Sequence, residues 1–320
     1  MTTANPVLDY AHAAQSTTLT DRARQFFFRP TLPNDLGICR ILFYGCLFIQ
    51  YLGTDFASYG DLPASFYNTL PLFRLLHIPI LSVKYLAMLE AAFKLGLLGA
   101  CLGRFTKLSS FVAAITGSYL LAVPNNFGRA GHGDGVIIIL LWVLAFSYCG
   151  HAWSLDRWFG KTPALAAASG EYTWPIRTVW VLMSLVYFGA GVTKLHASGL
   201  AWVTSDNMAM TFLAHQVNNS NPLLDWGQHL ARLAWFSKGL AGFTLVLELG
   251  FPLALFNRTA RKLWVPGMFF AHVGIALLMG VIFTQFMYTY IFWVPWLALR
   301  QHKAATSGRG LPAATGGGFM

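Results

Sequence analysis

The 320 residues carry a formal charge of +10, yet only 11% of them are charged and 56% are hydrophobic, with a mean hydropathy of +0.53. A soluble domain of this size carries roughly twice that charged fraction, so an ordinary water-borne globular protein is excluded. The basic excess lies in small groups between apolar blocks, with no stripe or run, which argues against a nucleic-acid partner.

The apolar blocks are about 17–22 residues long, the length that crosses a hydrocarbon core. Lipid cannot satisfy backbone N–H and C=O groups, so such blocks must be helical. The short alternating segments of a β-barrel are not visible. The expected fold class is all-α: a polytopic membrane helical bundle of about eight transmembrane helices plus interfacial helices, with the lipid bilayer as its first partner.

In chain order, residues 1–25 read as a mobile N-terminal tail, residues 26–300 as the membrane domain, and residues 301–320, rich in Gly, Ala, Ser and Pro, as a disordered C-terminal tail. No apolar run or cleavage pattern opens the chain, so no signal peptide is expected. From Asp21 to Arg29, three arginines alternate with Phe26, Phe27 and Phe28, which suits a short helix in the headgroup region. Spans follow at 36–53, 83–103, 107–124, 134–150, 175–194, 236–257, 264–282 and 284–299. The last two share one apolar stretch, so the count of eight depends on a tight turn between Val281 and Thr284. Residues 54–82 and 195–235 form long outer segments expected to contain helices lying on the outer face and roofing a cavity open to that side.

Orientation follows from where Lys and Arg fall. With the N-terminus inside, fourteen lie in inner segments, three (Arg74, Arg129 and Arg232) in outer ones, and five within or at the edges of spans. Both termini are therefore expected in the cytoplasm, with the chain in a plasma (inner) membrane.

Ionisable groups inside the bilayer need a reason to be there. Glu90 and Lys94 are four apart and share a helix face, as a self-neutralising structural pair or as part of an ion path. Arg40 sits about one turn into the first span and is expected to snorkel or to meet a carboxylate. Asp134 opens the fourth span, where a carboxylate suits the positive helix end. His132, two residues earlier, is an interfacial imidazole or part of a site, but no third and fourth metal ligand is visible, so no metal is expected. Cys39, Cys46, Cys101 and Cys149 read as apolar thiols, with no CxxC pair.

Lys194 ends the fifth span with Gly191, Ala190 and Tyr187 on its face. Small residues there admit a second helix and wall the amine off from water, and a desolvated lysine can serve as a base. The alternative is a snorkelling lysine at a span end. Glu248 and His272 lie in the middle of their spans, so each must face the interior and find a partner, including one another.

These residues carry a resemblance. Arg29-Pro30-Thr31-Leu32-Pro33 followed by Arg40-Ile41-Leu42-Phe43-Tyr44-Gly45 resembles the opening of the HTTM (horizontally transferred transmembrane) family, which includes the membrane part of vitamin K-dependent γ-carboxylase. Gly133-Asp134, Trp153-Ser154-Leu155-Asp156, Val186-Tyr187-Phe188, Ala190-Gly191-Val192, Lys194-Leu195, Trp202, Glu248 and His272 follow in the family's order, over roughly residues 26–300. The resemblance implies that Lys194 is a base that deprotonates a reduced quinone, a vitamin K-type hydroquinone. It implies that His132, Glu248 and His272 complete the catalytic pocket, and that Asp134, Tyr187 and Gly191 lie around the cofactor. The carboxylase's Asn-Asn-His run is replaced here by Gly131-His132-Gly133-Asp134, and its large extramembrane C-terminal region has no counterpart, so glutamate carboxylation itself is not implied. What remains is a quinol- or lipid-dependent enzyme modifying a peptide or small substrate at the extracytoplasmic face. The alternative is a non-catalytic membrane subunit or a partner in peptide maturation or export. A transporter comes third, since no inverted repeat is visible.

Overall fold

The helices that position the site are α1 (Leu19–Phe28), α2 (Asn34–Leu52), α3 (Val83–Leu102), α4 (Thr106–Ala122), α5 (His132–Phe146), α6 (Trp174–Ser198), α7 (Asn207–Asn218), α8 (Ala234–Gly250), α9 (Arg258–Met279) and α10 (Thr284–Thr289). The computed structural model describes residues 18–128, 132–162, 168–218 and 226–299, and among them no β-strand is present. The disordered tail expected over 301–320 lies outside the described residues, as does the expected mobile tail up to residue 17. Residues 19–25, also assigned to that tail, belong to α1, whose start is capped where the Asp21 N–H donates to Thr18 Oγ1.

Five helices are long and apolar enough to cross a membrane: α2, α3, α4 with its extension to Phe127, α6 with the turn before it, and α9. The other three expected spans take different forms. α5 has 15 residues and α8 has 17, which at 1.5 Å per residue gives about 22 and 25 Å. The last, 284–299, is not one helix. It runs from α10 into a 3₁₀ turn at Tyr290–Trp293 and breaks at Val294 before Pro295.

Pro295 has no N–H to continue a ladder, and Val294 before it adopts the extended conformation that proline imposes. The carbonyls this break leaves open are claimed by side chains. Trp180 Nε1 donates to Phe292 O at 2.8 Å, and Trp296 Nε1 to Ile291 O at 2.9 Å. The Leu297 N–H then donates to Asp35 Oδ1 at 2.7 Å, which ties the last described segment to the first long helix.

Helices α6 and α8 run antiparallel, since Tyr187 meets Phe251 while Lys194 meets Glu248. Residues 54–82 and 195–235 contain short helices, at Pro71–Leu75, Ala201–Thr204, Asn207–Asn218 and Trp226–Ala231. On α7, Met208 and Phe212 join Ala241 of α8 and Leu278 and Met279 of α9 in a small core of their own.

The turn between α3 and α4 is held by two opposite charges. Arg40 is neither snorkelling nor paired with a carboxylate. It is wholly buried, and its guanidinium donates to Ala100 O and Cys101 O at the end of α3 and to Trp153 O. A cation thus sits at the negative end of a helix dipole. At the start of α4, Asp156 accepts from the N–H groups of Phe105 and Thr106 and from the Thr106 hydroxyl, at 2.9, 2.7 and 2.8 Å. Gly103 joins the two helices at φ +70°, and a Cβ there would meet both Ser154 and the Arg40 guanidinium, so only glycine fits. The four cysteines are free.

Candidate functional site

Lys194 and Glu248 form the centre of the site. The Lys194 ammonium lies 2.6 and 2.7 Å from the two carboxylate oxygens of Glu248. Lys194 sits near the end of α6 and Glu248 near the end of α8, and the contact is possible because Gly191 faces α8. A Cβ at Gly191 would fall 2.9 Å from Leu249 and 3.2 Å from the Glu248 side chain. The small-residue face expected around Lys194 therefore does admit a second helix, and that helix delivers the carboxylate.

The pair is mostly dry, with 22% of the lysine side chain and 10% of the glutamate exposed. On the open side, Lys194 Nζ lies 5.3 Å from the Trp202 ring centroid. The indole Nε1 of Trp202 is buried and makes no hydrogen bond among the described residues.

Glu248 and His272 do not pair with one another. Each finds another partner because α8 turns Glu248 toward α6, while His272 on α9 faces an aromatic cluster. His272 Nδ1 lies 3.0 Å from Met268 O. A carbonyl only accepts, so Nδ1 carries the hydrogen and Nε2 keeps its lone pair, with no partner among the described residues. The ring stacks on Phe286 at 5.9 Å and meets Phe283 and Tyr187 at 5.7 and 5.6 Å.

Tyr187 is buried, and its hydroxyl lies 2.8 Å from that of Tyr290, which in turn is 3.4 Å from His272 Nδ1. Tyr187 precedes Lys194 by seven residues, about 10 Å along α6, and Phe251 on Tyr187 packs in the same row as Glu248. Lys194, Glu248, Gly191, Tyr187 and His272 thus lie along the α6–α8–α9 interface.

Asp134 is buried in the first turn of α5. Its oxygens lie 3.4 Å from the side-chain amides of Asn125 and Gln285. Gln285 belongs to α10, and the next residue, Phe286, stacks on His272, so α10 links Asp134 to the aromatic cluster without direct contact. His132 opens α5, but its side chain lies outside the described residues. Among the described residues no group of three His, Cys, Asp or Glu side chains is placed to hold a metal.

Tyr290 and Gln285 are the residues sequence reasoning missed. A tyrosine in the middle of an apolar stretch carries a hydroxyl that must find a partner, and this signal was present for Tyr290. Gln285, an amide inside the expected span 284–299, carried the same signal.

The other intramembrane pair is of a different kind. Lys94 donates to Glu90 at 2.6 Å and to Thr54 O at 3.0 Å, while Glu90 also accepts from the N–H groups of Phe56 and Ala57. It pins the chain leaving α2. Its geometry is that of a structural pair, with the carboxylate and the ammonium both tied to backbone groups of residues 54–57. Neither the crevice beneath α1 nor a second cavity between the start of α4 and Tyr148–His151 is lined by Lys194, Glu248 or His272.

Apolar helices of spanning length, an all-helical fold and polar groups gathered inside the bundle define an integral membrane protein. The model of the HTTM domain matches residues 28–299. The chain belongs to the HTTM family. No curated protein and no solved structure gives a match to the chain.

Proposed function

We propose that this HTTM protein is a membrane enzyme that takes an apolar, hydroxyl-bearing substrate such as a reduced quinone and removes its proton at the Lys194–Glu248 pair. The observation that carries this reading is the position of Lys194 Nζ between both oxygens of Glu248, with the unpaired Trp202 N–H beside them. The ammonium first passes a proton to Glu248, giving amine and carboxylic acid, and in that neutral form Lys194 is the base. The substrate O–H bond breaks, the proton joins the amine, and the resulting ammonium holds the quinolate oxygen. Trp202 Nε1 donates to the same oxygen, and the free His272 Nε2 is a second acceptor deeper in the bundle. A peptide or small molecule is the final substrate in this reading, at the extracytoplasmic face.

The topology that accompanies it has α5, α8 and the broken segment 284–299 crossing the membrane with the five long helices. The bond from Leu297 N–H to Asp35 supports it, because an even number of crossings returns the chain to the side from which α2 starts. The charge bias of fourteen against three supports cytoplasmic termini, and a plasma (inner) membrane is the setting.

The test is an anaerobic titration of purified protein with a reduced naphthoquinone, following the absorbance of the quinolate. Wild type is expected to generate it in stoichiometric amount, and Lys194→Met to abolish it. Quinolate formation unchanged in Lys194→Met would end the proposal. The bidentate contact also suits a second reading, in which the pair merely ties α6 to α8 in a non-catalytic subunit or export partner. That reading expects a co-purifying protein and no retained quinone in mass spectra of the detergent-solubilised protein.

A further inference from the structure

At the opposite end of the bundle, where α6 and α9 begin, a crevice of about 1750 Å³ opens beneath α1. Its walls carry six arginines, Arg22, Arg24, Arg29, Arg177, Arg258 and Arg261, and a single acid, Glu171. Glu171 is engaged by the Trp174 indole N–H at 3.2 Å. The remaining lining is largely apolar and is contributed by α1, α6 and the turn before α9.

Two of the guanidinium groups are held in place. Trp180 is fixed by its bond to Phe292 O and by parallel stacking on Trp293, with ring centroids 4.5 Å apart and planes 2° from parallel. Arg177 lies over the Trp180 ring at 4.0 Å and Arg261 over it at 4.2 Å, while Phe26 of α1 meets Arg177 at 5.0 Å. Arg261 is further oriented by bonds to Ala254 O and Leu255 O. Arg177, half-buried, has no acceptor and no carboxylate partner among the described residues, and it feels the like charges of Arg261 and Arg29. Two oriented cations sharing one indole, with no counterion among the described residues, make a position for a bidentate oxyanion.

We infer that this crevice binds a phosphate group, carried by an anionic phospholipid whose acyl chains lie along the phenylalanines of α1. The α1 helix suits that ligand: Leu19 and Phe28 are exposed, and its arginines face the same crevice. Helices of this composition lie in the headgroup layer, and the crevice places α1 beside the starts of α6 and α9. Nothing in the proposal depends on the chemistry at Lys194.

The experiment uses the full chain in a neutral detergent. Short-chain phosphatidylglycerol, phosphatidylcholine of the same chain length, and inorganic phosphate are each titrated, with binding read by tryptophan fluorescence at low and high salt. Phosphatidylglycerol is expected to bind saturably, to weaken with salt, and to lose about tenfold in affinity in Arg177→Gln. Arg258→Gln, at an exposed position, is expected to lose less, and it keeps the test open if Arg177→Gln does not fold. Inorganic phosphate competing at the same concentration as phosphatidylglycerol would support the phosphate site and assign it to a free ion instead of a lipid. Equal binding of phosphatidylcholine, or binding of phosphatidylglycerol unchanged in both variants, would overturn the inference.

Discussion

The two lysine–glutamate pairs in the bundle are equally sheltered but differ in what surrounds them. Side-chain exposures are 21% and 14% for Lys94 and Glu90, against 22% and 10% for Lys194 and Glu248, so burial does not tell them apart. What differs is the use of the remaining hydrogen-bonding capacity. Glu90 and Lys94 lie one turn apart on one helix and spend their other bonds on Thr54, Phe56 and Ala57. Lys194 and Glu248 come from two helices and, among the described residues, hydrogen-bond only to each other, beside the Trp202 indole. A closed network of the first kind stabilises a fold. The second kind leaves bonding capacity that the proposed chemistry would use.

The largest expected effect bears on chemistry. Lys194→Met should lower quinolate formation by at least about 100-fold, the usual scale of a lost general base, whereas Lys94→Met should leave it intact. Equal losses in both variants would erase the distinction between the pairs.

Stability sharpens the contrast next. Glu248→Leu alone strands a buried ammonium and should destabilise by about 3 kcal/mol in thermal or denaturant unfolding, while Lys194→Met/Glu248→Leu should recover most of that without recovering activity. At the other pair the double variant Glu90→Leu/Lys94→Met should remain about 2 kcal/mol below wild type, because the Phe56 and Ala57 N–H groups stay unpaired. A Glu90/Lys94 double variant as stable as wild type would show that the backbone bonds matter little.

The smallest effect concerns a closed carboxylate outside the spans. Burial pushes the Asp156 carboxyl up, but the bonds from Thr106 and Phe105 and the nearby Arg104 outweigh it and hold it below the usual carboxylate range. Its contribution is then complete above the unfolded pKa of about 3.9 and is lost as pH falls through the lower folded value. Unfolding midpoints should be flat from pH 8 to 5 with respect to this group. Asp156→Asn should remove about 1 kcal/mol of stability at pH 7 and little at pH 3.

The membrane class, the five long helices and the inward-facing polar residues were legible because each depends on local pattern: apolar length, helical spacing, and the need of any intramembrane charge for a partner. Gly191 beneath Lys194 was legible for the same reason. The partners were not. Lys194 and Glu248 are 54 positions apart, and nothing local to either says which helix will face it. Arg40 likewise announced that it needed acceptors, but its acceptors are carbonyls freed by the ends of other segments. The last apolar stretch looked like a span by composition. Its break depends on side chains of α2 and α6 being present to take up the carbonyls that Pro295 leaves open.

The bond between the Leu297 amide and Asp35 has a consequence for biogenesis. Because residues 291–297 supply acceptors and a donor to Cys39, Trp180 and Asp35, α2 waits for residues 262 positions further along the chain before its contacts are complete. Intermediates that have inserted α2 through α9 hold an unclasped carboxylate and an unstacked Trp180. Nascent chains halted before Tyr290 should therefore be membrane-inserted yet readily proteolysed, with resistance appearing abruptly once the sequence through Leu297 has been made.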